Sequence, residues 1–186
     1  MFTTLQITKA ISEATNGQEL YSLAKNEVSY LLSTLGSWTL GTAVEVAVAD
    51  RLYRCGIDCE HLGGPGQDDV VAYIKGRRRV LECKSSKLGP KSEIYTFTGI
   101  DPSQFDTLLL AFGHPTEGLV IKSASSADVK AWGLNGPKGK ERKWQVDHNG
   151  NGGYEMSTQA HGVMSVKGLN LIEWNPEGLT MVKSIA

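Results

Sequence analysis

Cysteine is scarce in this chain: Cys55, Cys59 and Cys83 are the only three among 186 residues. A small, odd set excludes a disulfide scaffold and fits a reducing cytoplasm. Long hydrophobic runs are missing as well. No apolar stretch approaches the roughly 20 residues of a membrane helix, and Met1 to Thr8 lacks the basic-then-apolar pattern of a signal peptide. Charge of one sign is also absent, since 19 Lys and Arg stand against 20 Asp and Glu. No whole-molecule field therefore points to a nucleic acid. Any basic face must be local and act within the roughly 10 Å over which charge is felt in physiological salt. Hydrophobic residues make up 40% of the chain, which excludes a disordered segment and leaves enough apolar surface for an unaided core.

The hydrophobic spacing predicts helices over residues 5–14 and 18–35, and a third from Thr39 to Cys55. Val44, Ala47, Val48 and Leu52 form the apolar face of the third, and Gly56 follows its end. Ile57 to Leu62 reads as a short strand, followed by a break at Gly63-Gly64-Pro65-Gly66. Val70 to Ile74 reads as a buried strand and Arg79 to Lys84 as a second, joined through Lys75-Gly76-Arg77 as a hairpin. Residues 85–103 are rich in Gly, Pro and Ser and read mostly as a loop. Phe105 to Phe112 is another apolar run, Leu119 to Lys122 a strand, and Ser125 to Trp132 a short helix. Residues 134–154 read as mobile. Leu169 to Trp174 and Leu179 to Val182, around Asn175-Pro176-Glu177-Gly178, read as a terminal hairpin. No repeat and no linker is visible, so the expectation is one mixed α/β domain of α+β character over residues 1–186. Its core would run from about 38 to 132, with a helical extension over 1–36 and a β-rich one over 134–186.

The chemistry concentrates at Asp68-Asp69-Val70-Val71-Ala72-Tyr73-Ile74, the turn, and Val80-Leu81-Glu82-Cys83-Lys84. Side chains alternate along a strand, so Glu82 and Lys84 point one way and Cys83 the other. If the two runs pair, Asp69 at the start of one strand meets Glu82 and Lys84 near the end of the other. Two carboxylates on one rim suit Mg²⁺, which binds few protein oxygens and keeps its waters. A neighbouring ammonium can position a water or offset phosphate charge. Together these are the parts for metal-assisted hydrolysis of a phosphodiester. Taken alone, Glu82 and Lys84 are an ordinary solvated strand face, and Asp68 is the nearer rival to Asp69.

These residues resemble the PD-(D/E)XK nuclease superfamily, the restriction-endonuclease-like fold. Asp69 stands for the acid and Glu82-Cys83-Lys84 for the E-x-K element, with Asp68 where the family often has Pro. The resemblance spans about residues 40–112. It implies a central mixed β-sheet flanked by helices. It also implies Mg²⁺, with Mn²⁺ substituting, held by Asp69, Glu82, Glu45 on the preceding helix and the backbone carbonyl of Cys83. Lys84 would act on the attacking water or the developing phosphorane charge. The implied activity is a Mg-dependent endodeoxyribonuclease on double-stranded DNA, most like a type II restriction enzyme and a homodimer. Structure-selective, homing and Holliday-junction nucleases share that core, and so would a non-catalytic binding module.

Ser85, Lys87 and Lys91 follow the E-x-K strand and are candidate phosphate contacts. Lys138, Lys140, Arg142 and Lys143 form the densest local basic patch and are candidate backbone contacts. Lys75, Arg77, Arg78 and Arg79 crowd the hairpin turn, which a regular hairpin places far from the acids. Cys55, Cys59, His61 and Cys83 have tolerable zinc spacing, but paired C-x₂-C units are absent. Asp147-His148-Asn149 with His161 is a poor match to the HNH nucleases, so His148 and His161 read as surface residues.

Overall fold

A computed structural model describes residues 36–63, 68–88, 94–114, 117–135, 144–146, 152–158 and 162–176. The helices expected over 5–14 and 18–35 lie outside these residues, as do Lys91, Lys138, Lys140, Arg142, Lys143, His148 and His161.

Helix α1 (Ser37–Arg54) forms where the sequence repeats apolar residues every fourth position. Leu40, Val44, Val48 and Leu52 make one buried stripe. Arg51 and Arg54 in the last turn complement the negative helix end. The chain then enters a six-stranded sheet made of β1 (Asp58–His61), β2 (Val70–Ile74), β3 (Arg77–Lys87), β5 (Thr107–His114), β6 (Gly118–Ser125) and β9 (Ile172–Glu173). The strands lie in the order β1-β2-β3-β5-β6-β9. The β3–β5 pair is parallel and every other neighbouring pair is antiparallel, so the sheet is mixed. Lys75 and Gly76 both adopt positive φ, 52° and 71°, as the tight turn between β2 and β3 requires.

Strand β5 is the centre of the molecule, and its two faces feed two cores. Leu109 and Ala111 join Leu81, Cys83, Val70 and Ala72 beneath α1, in a core built from aliphatic residues. Leu108, Leu110 and Phe112 face the opposite way, toward Tyr95, Phe97, Phe105 and Trp132. That second layer consists of helix α2 (Ser126–Asn135) and a three-stranded sheet ordered β4-β8-β7, with β4 at Thr96–Ile100, β7 at Trp144–Val146 and β8 at Gly152–Ser157. Phe112 meets Tyr95 and Phe97 edge-on, each with centroids 5.1 Å apart. A mixed sheet with α1 on one face and α2 plus a small sheet on the other is an α+β architecture.

Several sequence expectations give way here. The described part of residues 85–103 is not mostly loop. Ser85, Ser86 and Lys87 continue β3 because they pair with Ala111, Phe112 and Gly113 of the buried β5, and Thr96–Ile100 forms β4. Residues 134–154 include β7 and the start of β8, and β8 pairs with β4. In the tail, Ile172–Glu173 pairs with Ser123 and Lys122 of β6 rather than with a downstream strand. The partner expected at Leu179 to Val182 lies outside the described residues. In the first two cases tertiary pairing outweighs a polar local composition, and in the tail it selects β6 as the strand partner.

Candidate active site

The β2–β3 register places Val70 opposite Leu81. That pair closes the ladder at the open end of the hairpin, where Asp69 comes near enough to Glu82 for the Glu82 charge to act on it. Leu62 N–H donates to Asp69 O at 3.2 Å, which ties this end to the residue that follows β1. Leu81 and Cys83 are buried beneath α1, while Val80 points into the aromatic core. Glu82 and Lys84 therefore share the Val80 face, and Cys83 has the opposite phase.

Each charged group at this end has a partner. Lys84 Nζ lies 2.5 Å from Glu82 Oε1, with their side chains 27% and 14% exposed. Asp69 Oδ2 accepts from the Cys83 N–H at 2.8 Å, taking the place of a ladder bond. Along a strand a residue's N–H and C=O project to the same side, so the Cys83 carbonyl opens toward the Asp69 side too. Burial, reinforced by the negative charges of Glu82 and Glu45, pushes the Asp69 carboxyl up to about 7. The Cys83 amide and Lys84 oppose that shift without cancelling it. For Lys84, burial favours the neutral amine, but the Glu82 charge and hydrogen bond, with Asp69, outweigh it and raise the pKa. Lys84 is accordingly an ammonium at neutral pH, a donor and not a base.

Glu45 projects from α1 and meets His61 of β1, with Oε2 and Nε2 2.8 Å apart. The family resemblance implies a metal ion beside Glu45, whereas its neighbour in the fold is this imidazole. The signal was strand alternation, which puts Cys59 and His61 on the face toward α1. Asp68, the rival acid, is bound by Arg78. The turn cluster is thus not confined to the far end, because Arg78 shares the Glu82 face and its long side chain reaches back along the hairpin. Arg79 instead pairs with Asp106 at 2.9 Å, and Asp106 also caps the Val80 N–H. Ser85 and Lys87 follow the Cys83 phase, so the strand turns them away from the face of Glu82 and Lys84. Ser86 keeps the Lys84 phase and accepts from Thr96 N–H at 3.0 Å.

The zinc spacing does not assemble. Cys83 is 6% exposed within the aliphatic core, and burial pushes its thiol well up. Cys59 Sγ donates to Ala49 O at 3.2 Å, and His61 is engaged by Glu45. Among the described residues no three His, Cys, Asp or Glu side chains form a ready-made metal cage. The acid pair still fits a hard divalent cation. Magnesium needs only one or two carboxylates, and Asp69 and Glu82, near enough to interact, are an all-oxygen set. Burial and the Glu82 charge both disfavour a charged Asp69, a load that a cation would relieve.

No protein-family model and no curated protein matches the chain. Among solved structures it is similar to a bacterial homing endonuclease. The two share 15% identity over 77% of this chain and 86% of the other, with a TM-score of 0.43. A likeness of that size says nothing about the reaction.

Proposed function

We propose that the protein is a metal-dependent endodeoxyribonuclease of the PD-(D/E)XK type, hydrolysing phosphodiester bonds in double-stranded DNA as a restriction-like homodimer. The observation that supports this reading is that the Glu82 charge acts on Asp69 at the open end of the hairpin, beside the Glu82–Lys84 ion pair. Asp69 and Glu82 would hold Mg²⁺ or Mn²⁺, with the Cys83 carbonyl and Glu45 in support. The ion, when bound, supplies Lewis-acid polarisation of a phosphate oxygen and lowers the pKa of water. Lys84 keeps its proton and donates from Nζ, so it orients a water or stabilises negative charge as it builds on the phosphoryl group. Glu82 fixes the ammonium in place. The Cys83 amide holds Asp69 at the strand end, so the acid does not swing into solvent.

The test is incubation of the protein with a long duplex and Mg²⁺ or Mn²⁺, followed by sequencing of the ends. Cleavage is expected with either cation and none with EDTA. Glu82→Ala and Lys84→Ala should each lose about 10²–10³-fold in rate while retaining DNA binding. If the parent protein leaves every duplex intact with both cations, the proposal is wrong. Discrete, sequence-defined ends would specify restriction or homing, and cuts at branches a structure-selective enzyme.

A further inference from the structure

The Glu45–His61 pair is an unusual thing to find on the apolar side of a helix. Glu45 adjoins Val44, which is fully buried, and the Glu45 and His61 side chains are only 16% and 9% exposed. Such a pair stabilises a fold weakly, because desolvation offsets most of the attraction. Its geometry is nevertheless closely guarded. Gly63, with φ +42°, passes directly over the ring. A Cβ there would sit 2.9 Å from His61 Nε2 and 3.5 Å from Glu45 Oε2.

The ring has one other feature. His61 Nδ1 is buried and has no hydrogen-bond partner among the described residues. An ionised carboxylate can only accept, so the bond to Glu45 has the proton on Nε2. Among the described residues the ring thus has a single task, gripping Oε2 of Glu45, and Oε1 makes no hydrogen bond there to compete with another partner. Glu45 is near enough to Asp69 for its charge to be felt there.

We propose that His61, given room by Gly63, is a positioning residue that aims the Glu45 carboxylate at the Asp69–Glu82 pair. This rests on the metal-dependent reading above. His61 itself touches neither ion nor substrate. It donates from Nε2 and fixes the orientation of the acid, as hydrogen-bonded neighbours of metal-binding carboxylates do.

Mn²⁺ binding, followed by loss of the free-ion paramagnetic resonance signal, tests this on the full chain without requiring turnover. Far-UV circular dichroism and thermal melting check the folding of each variant. The wild type is expected to bind Mn²⁺, and His61→Ala to bind it about 10–100-fold more weakly. In cleavage assays the same variant should need more Mn²⁺ yet approach the wild-type rate at saturation. His61→Gln, whose amide can donate to Glu45, should recover most of the affinity. Gly63→Ala should weaken Mn²⁺ binding in a folded protein, which covers the case in which His61→Ala fails to fold. If His61→Ala or folded Gly63→Ala binds Mn²⁺ as the wild type does, the positioning role is refuted while the nuclease reading stands. If His61→Gln is no better than His61→Ala, the residue only fills space and the role is likewise refuted. A wild-type protein that binds no Mn²⁺ removes both this role and the metal-dependent function beneath it.

Discussion

The two ends of the β2–β3 hairpin carry similar numbers of charges and behave in opposite ways. At the turn end, Arg79 and Asp106 pair with 44% and 38% of their side chains exposed. Water screens them, and exposed pairs of this kind contribute about 0–1 kcal/mol. At the open end, Asp69, Glu82 and Lys84 are largely withdrawn from solvent, and the like charges of Asp69 and Glu82 act on each other. The contrast is sharpest between neighbours. Asp68 is held by the half-exposed Arg78, while Asp69, half-buried beside Glu82, has its carboxyl pushed up to about 7. Burial, and not the count of charged residues, separates a solvated turn from a site under electrostatic load.

The largest effect should come from exchanging the neighbours. Asp69→Asn is expected to reduce single-turnover cleavage by about 10³-fold, as expected when a group that gathers transition-state charge is lost. Asp68→Asn should stay within about threefold, and an equal loss in both would show that the acids are not distinct. Next is the dependence of stability on pH without divalent cations. The folded-state pKa of Asp69 is raised from 3.8 to about 7, so the folded protein holds this proton more tightly than the unfolded chain. Its contribution is complete below about pH 4, falls as pH rises through about 7, and is then flat, a loss of up to roughly 4 kcal/mol. Urea titrations at pH 5 and pH 8 should show that decline in the wild type, a smaller one in Asp69→Asn, and a partial recovery at pH 8 with Mg²⁺. A smaller change is expected for Cys83→Val, which faces the aliphatic core: under about 1.5 kcal/mol in stability, with cleavage largely intact. Abolished cleavage in a folded Cys83→Val protein would mean that the side chain of residue 83 reaches the site. The smallest effect belongs to Arg79→Ala, about 0–1 kcal/mol by chemical denaturation, since Asp106 still caps the Val80 amide.

Much of the frame was legible in the sequence. The fourfold apolar spacing of α1, the run of β5 and the alternation Leu81-Glu82-Cys83-Lys84 each state which way side chains face, and the structure follows them. What composition hid was pairing. Ser85, Ser86 and Lys87 look like loop residues until the buried neighbour strand supplies their hydrogen bonds. Contacts between distant elements were equally hidden: nothing local in Glu45 announces His61, sixteen residues on. The long reach of Arg78 to Asp68 also defeats a reading based on strand position alone.

One consequence follows from the unequal lengths of β2 and β3. Strand β3 runs to Lys87 along β5, but its pairing with β2 stops at Leu81. Past that point, among the described residues, no strand pairs with the β2-side edge of β3, and the Asp69 carboxylate takes its first rung at Cys83. A side chain thus stands where a backbone carbonyl would otherwise be, so a substitution at residue 69 changes how the ladder is closed as well as the charge beside it.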